Sequence, residues 1–176
     1  LSERDLRLGS RLLIGGIAGI VGTMAMTSAM RRLHQKLPPS ERYPLTPREI
    51  IDSTAVQAEV KLSSEAAKDV TTAGHFAYGA ACGSLIGALD PRMSPASGAA
   101  AGVAVWLGSY LGWIPAVGIL KPATDHPPQR NALMIGVHLV WGAATAMAMR
   151  ELVAMRDSMI EDGPDRDAPP DGQSAP

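Results

Sequence analysis

Long uncharged runs alternate with short charged segments along this chain. Lys, Arg, Asp and Glu are absent from Leu12 to Met30, from Val70 to Leu89, from Met93 to Leu120 and from Asn131 to Met149. Each run reaches the ~20 residues that a helix needs to cross the hydrocarbon core of a bilayer. A helix without a charged face is either wholly buried or immersed in lipid, and a chain of 176 residues has too little interior to bury four of them. The pattern predicts an all-α fold, an integral membrane four-helix bundle. Its spans lie at about 12–30, 70–89, 96–120 and 131–149, with both termini on one side. A secretory signal is the competing reading of the first run, because Arg4, Arg7 and Arg11 precede it. That run is longer than a secretory core, however, and carries the glycine spacing of the later spans.

Small residues set how such spans meet. Gly15, Gly19 and Thr23 are four apart, as are Gly79, Gly83 and Gly87, and Gly98 and Gly102. Residues four apart share a helix face, and a stripe without side chains lets two membrane helices approach closely. These positions, with Gly142, are the expected helix-packing residues. Met24, Met26 and Met30 invite a copper reading, but Met24 and Met26 point to different sides of a helix, and thioethers are ordinary gap fillers. Cys82 is the single cysteine. It can form no intrachain disulfide and reads as a small packing residue.

The polar segments organise the connections. A lead at 1–11 precedes the membrane domain of 12–152. Leu37-Pro38-Pro39 stops the first helix. Thr46-Pro47-Arg48-Glu49 combines a capping threonine, a proline in the first helical position and a glutamate three residues after the cap, which together start a helix. An amphipathic loop helix at about 47–60 is expected, lying on the membrane surface or docked on the bundle mouth. Asp90-Pro91-Arg92 makes a tight turn, and Pro115 kinks or ends the third span. Asp125 beside His126 suggests an acid–base pair, but the flanking prolines and the lack of a visible nucleophile favour a solvated turn. Residues 153–176, rich in Pro, Asp and Gly, read as a disordered acidic tail. A net charge of −1 gives no electrostatic footprint for nucleic acid. Lys and Arg do not divide between the loops clearly enough to orient the chain in the membrane.

One stretch is echoed. His75-Phe-Ala-Tyr78-Gly79-Ala80-Ala81 returns 63 residues on as His138-Leu-Val-Trp141-Gly142-Ala143-Ala144. The echo predicts two pseudo-repeated helix hairpins of equal orientation, placing His75 and His138 at matched depth in similar surroundings. An ionisable side chain within a span is costly and therefore a functional suspect. Three readings remain open: axial ligation of a haem or metal, with Tyr78 and Trp141 alongside; a proton or ion relay; and neutral imidazoles that hydrogen-bond neighbouring spans. No carboxylate inside the spans supports a pump, and no second ligand pair supports a transition-metal cage. No metal ligand or catalytic residue is assigned.

Gly19-Ile-Val-Gly22-Thr23-Met-Ala-Met-Thr27, Pro44-Leu-Thr-Pro47-Arg48, His75-Phe-Ala-Tyr78-Gly79, Ala104-Val-Trp106-Leu-Gly108-Ser-Tyr110-Leu-Gly112-Trp113 and Asn131-Ala-Leu-Met together resemble the small bacterial inner-membrane proteins grouped with the YagU-like family. The likeness covers about residues 10–152. It implies a multi-pass inner-membrane protein of unknown molecular activity and carries over no catalytic residues. The expected role is a non-enzymatic membrane component that packs in the lipid bilayer, through its glycine faces, as a homo-oligomer or in a larger membrane complex. The alternatives are a small cofactor or ligand binder using His75 and His138, and an oligomeric transporter or ion relay.

Overall fold

The computed structural model describes residues 6–39, 42 and 46–160. Among these the chain is helical and has no strand. In order, α1 is Leu8–His34, α2 Thr46–Gln57, α3 Ser64–Leu89 and α4 Pro95–Leu107. A π-helical stretch, Gly108–Trp113, leads to the short α5, Ile114–Ala116. A 3-10 turn, Ala123–Asp125, precedes α6, Pro128–Met155, and a π turn, Arg156–Ile160, follows it.

The ends are chemically marked. The Ser63 hydroxyl accepts from the Ala66 N–H at 3.2 Å, and the Ser94 hydroxyl accepts from the Ser97 N–H at 3.1 Å with Pro95 in the first turn. These are the side-chain caps that satisfy first-turn donors. Asp90 ends α3 in an extended conformation, and its carboxylate accepts from the Arg92 N–H at 2.9 Å. The third span breaks at Gly112 (φ −107°, ψ −109°), three residues before Pro115. Proline has no N–H for the Leu111 carbonyl, so the disturbance falls in the turn that precedes it.

Three helices among the described residues are long and apolar enough to cross a membrane: Leu8–His34, Pro95–Ala116 and Pro128–Ile160. α3 matches them in length but not in apolarity, because His75, Tyr78, two threonines and four glycines dilute its alkyl content. The outward faces are apolar too. Ile17, Ile20, Val21 and Met24 on α1, Leu85 on α3, and Leu139, Val140 and Met147 on α6 are all exposed, as faces toward lipid would be.

α1 lies at the centre. It packs along α3 on one side and α6 on another, and α4 packs along α6. Each long contact is antiparallel and runs over glycine. A Cβ at Gly15 would strike the Gly83 carbonyl, one at Gly19 the Gly79 carbonyl, and one at Gly83 would lie 2.7 Å from the Gly19 Cα. Gly87 meets the Arg11 carbonyl and the Gly15 Cα, both at 2.7 Å. Between α4 and α6, Gly98 faces the Gly142 carbonyl and Gly102 the His138 carbonyl. The register of the two pairs differs. Gly15 opposes the residue eight after His75, whereas Gly98 opposes the residue four after His138, a shift of one helical turn. All the glycines predicted to pack do so within this chain.

One departure from the sequence reading has a plain cause, and one of its open alternatives is decided by contacts. Residues 153–160, expected in the tail, are helical, because Leu6, Ile14, Ala18, Met149 and Val153 form one buried cluster that carries α6 to Met155; 161–176 lie outside the described residues, as do residues 1–5 of the lead. The amphipathic α2 is docked on the bundle. The Arg130 guanidinium, on α6, is paired with the Glu49 carboxylate, and the Gln57 amide donates to the Gly118 carbonyl at 3.0 Å.

The glycine contacts set a signed expectation. Gly19→Ala or Gly83→Ala should lower stability by about 1–3 kcal/mol through overpacking. Gly136, with nothing within 4 Å of an added Cβ, should tolerate alanine and gain up to about 1 kcal/mol from helix propensity. Melting of the three variants in detergent checks both signs.

Candidate functional site

α3 and the α4–π wall have no glycine contact between them, and their seam opens into a cleft of about 250 Å³. α1 and α6 form its back. Pro47, Ile50 and Ile51 of α2 close one end. Both His75 and His138 line it, with Tyr78 and Trp141, so the structure brings all four singled-out side chains to one place. Asp125 and His126 stand apart in the loop after α5, where the Thr124 hydroxyl donates to the Asp125 carboxylate at 3.3 Å.

The polar atoms around the cleft are largely committed to one another, and their proton directions follow from what each group can do. The Ser109 hydroxyl donates to the Val105 carbonyl at 2.7 Å, because a carbonyl only accepts. Tyr78 must then donate to Ser109, at 2.8 Å. Trp113 donates its indole N–H to the Tyr78 oxygen at 3.4 Å. This relay ties α3 to the π-helical wall across the seam.

A second relay has the same grammar. The Trp141 indole N–H donates to the Thr23 hydroxyl at 3.2 Å, and Thr23 donates to the Gly19 carbonyl at 2.8 Å. It ties α6 to α1. Tyr78 and Trp141 occupy equivalent places in the echoed sequence, yet each fastens its helix to a different neighbour. Their polar atoms are spent on helix association.

The two imidazoles differ. His75 is half-buried, with Nε2 3.3 Å from the Thr27 hydroxyl of α1. His138 is buried, 7% exposed, and its Nδ1 lies 2.7 Å from the Met134 carbonyl one turn back. That carbonyl can only accept, so Nδ1 carries the proton and Nε2 is left as an acceptor. Among the described residues Nε2 has no hydrogen-bond partner. The Tyr110 ring stands edge-on to the imidazole, with centroids 6.2 Å apart and planes at 84°.

The rest of the wall is apolar. Met26, Met30 and Met134 offer thioethers, and Tyr110, Trp113 and Trp141 offer rings. No Lys, Arg, Asp or Glu lines the cleft. No group of three or more His, Cys, Asp or Glu among the described residues is placed to hold a metal ion. Sequence reasoning marked both histidines and offered Thr71, Thr72 and Ser109 as their hydrogen-bond partners; the structure instead pairs His75 with Thr27, gives Ser109 to Tyr78, and bonds the two threonines to carbonyls one turn back. Ser109 and Tyr110 sit four and three residues before Trp113 and three and four after Trp106, a spacing that puts them on the inner face. No family description, curated protein or solved structure matches the chain.

The two relays share no atom. Tyr78→Phe, which removes two hydrogen bonds, and Trp141→Phe, which removes one together with part of a buried ring, should each cost about 1–3 kcal/mol, and the double variant should sum them. A double-mutant cycle in thermal melts reads this; a coupling well above ~0.5 kcal/mol would mean that the relays communicate.

Proposed function

We propose that this chain is a four-span inner-membrane protein built of two pseudo-repeated hairpins, and that it is a non-enzymatic binder of a small apolar molecule in the cleft. The observation that carries the reading is the cleft itself. In a bundle whose other seams close glycine to carbonyl, the seam between α3 and the π-helical wall stays open, is roofed by a docked helix, and gathers both in-span histidines. Its volume lies just below the ~300–1,000 Å³ usual for small-molecule sites, and its few convergent polar groups amid apolar walls match their character.

The fourth span is α3. It is packed antiparallel along α1 from Gly87 against Arg11 to His75 against Thr27. A helix that follows a membrane-crossing neighbour over that length occupies the same depths. The YagU-like resemblance supports the inner membrane as its location.

Two other readings are less favoured. Packing with further copies through the glycine stripes would require surfaces already used within the chain. Haem ligation by both imidazoles would require His75 to give up Thr27 and both rings to turn their free nitrogens to one iron. A neutral organic ligand needs neither change.

Cys82, the single cysteine, lines the cleft and reports on it. In nanodiscs, naphthalene at saturation should slow alkylation of Cys82 by an apolar maleimide at least threefold. Val105→Phe, which fills the cleft, should slow it without naphthalene. Rates indifferent to both would end the binding proposal. Reporter fusions after residues 61, 92 and 125 should alternate sides of the membrane. Placing 61 and 92 on one side would remove α3 from the spans.

A further inference from the structure

The chemistry of the cleft wall selects its occupant. Resting on the binding proposal, the geometry points to a neutral, ring-bearing molecule with one hydroxyl donor, a phenol in its simplest form, held by the Nε2 acceptor of His138.

Three observations converge. First, charge is excluded, since no acidic or basic residue lines the cleft and an ion buried without a counter-charge is strongly disfavoured. Second, hydrogen bonds among protein groups already engage most of the other polar groups of the lining. Tyr78, Ser109 and Trp113 form one relay, Trp141 and Thr23 the other, His75 pairs with Thr27, and the Thr71 hydroxyl donates to the Ala67 carbonyl at 2.6 Å. Third, the ring nitrogen of His138 that lacks a partner is fixed as an acceptor by the Met134 carbonyl on the opposite nitrogen. An acceptor that borders an apolar cleft without a donor is poorly satisfied, and a ligand that brings a donor gains that hydrogen bond. The flanking Tyr110 ring and the Met26, Met30 and Met134 thioethers suit an aromatic body beside that donor.

A donor therefore binds better than the same body without one. A phenolic hydroxyl could come from a free small molecule or from the head of a bilayer-dissolved quinol-type lipid. Both present the same group to His138.

The test compares 1-naphthol with 1-methoxynaphthalene, which keeps the ring and oxygen but has no donor, and with 1-naphthoate, which adds charge. Binding to the full chain in nanodiscs is measured by equilibrium dialysis, with protein-free nanodiscs subtracted. Wild type should bind 1-naphthol about tenfold tighter than 1-methoxynaphthalene, equivalent to ~1.4 kcal/mol, and 1-naphthoate most weakly. His138→Phe should abolish that tenfold gap, and His138→Gln, which keeps an acceptor, should retain part of it. Equal affinities of the first two compounds for wild type would overturn the proposal even if no variant folds, as would a gap that survives in His138→Phe. If 1-methoxynaphthalene binds without a gap, the cleft remains a binding site and only this specificity is lost. If nothing binds, the site itself is lost. Solvent extracts of the purified protein then separate the sources: a stoichiometric phenolic lipid assigns the membrane, and its absence alongside naphthol binding assigns a free molecule.

Discussion

Backbone-to-backbone approach at glycine is the constraint from which the rest of this architecture follows. Where Gly15 and Gly19 meet Gly83 and Gly79, and where Gly98 and Gly102 meet Gly142 and His138, an added Cβ would overlap a carbonyl. Association at such distances rests on dispersion between closely fitted surfaces, since helices in lipid gain nothing from excluding water. α1 uses two faces in this way, holding α3 by one glycine stripe and α6 through Gly22, which sits 2.8 Å from the Trp141 carbonyl by the same measure. The seam without glycines, between α3 and the wall that follows α4, cannot close to the same distance. The cleft is the geometric remainder of three tight contacts.

That remainder is edged by hydrogen bonds, and their placement explains why the echoed residues do different work. Tyr78 reaches across the open seam to Ser109, while Trp141 reaches across a closed one to Thr23. Tyr78 reaches the wall that continues α4, and Trp141 reaches α1. The histidines differ in what their rings meet. His75 faces a hydroxyl on α1, whereas the turn of α6 at His138 lies against Gly102 of α4, and its ring finds only the carbonyl of its own helix. A sequence echo thus yields one structural clamp repeated and one acceptor unmatched.

Much of this was legible in the chain. The uncharged runs located the long helices, the fours of glycine located their contacts, and Pro115 foretold a break, although the turn that yields is at Gly112 because the missing bond belongs to the carbonyl behind the proline. Both imidazoles could be marked from composition alone. What could not be read is anything that depends on which face meets which neighbour. The pairing of His75 with Thr27 and of Tyr78 with Ser109 joins residues dozens of positions apart. The length of α6 was also hidden, because Val153 falls just past the charged pair Arg150 and Glu151 that closes the last uncharged run, until Leu6 and Ile14 are seen to cover it.

The docking of α2 shows the same limit from the other side. Its sequence suits a membrane surface and a bundle mouth equally, since either would receive Ile50 and Ile51. The choice is made by a polar contact. Glu49 and Arg130 meet where both are largely withdrawn from water, with side chains 23% and 10% exposed. A pair in that position gains little net stability, because desolvation of both ions offsets their attraction. It acts instead by position, tying the first turn of α2 to the first turn of α6. The helix is thereby held with its apolar side over the cleft, and a charge pair outside the site keeps charge from lining it.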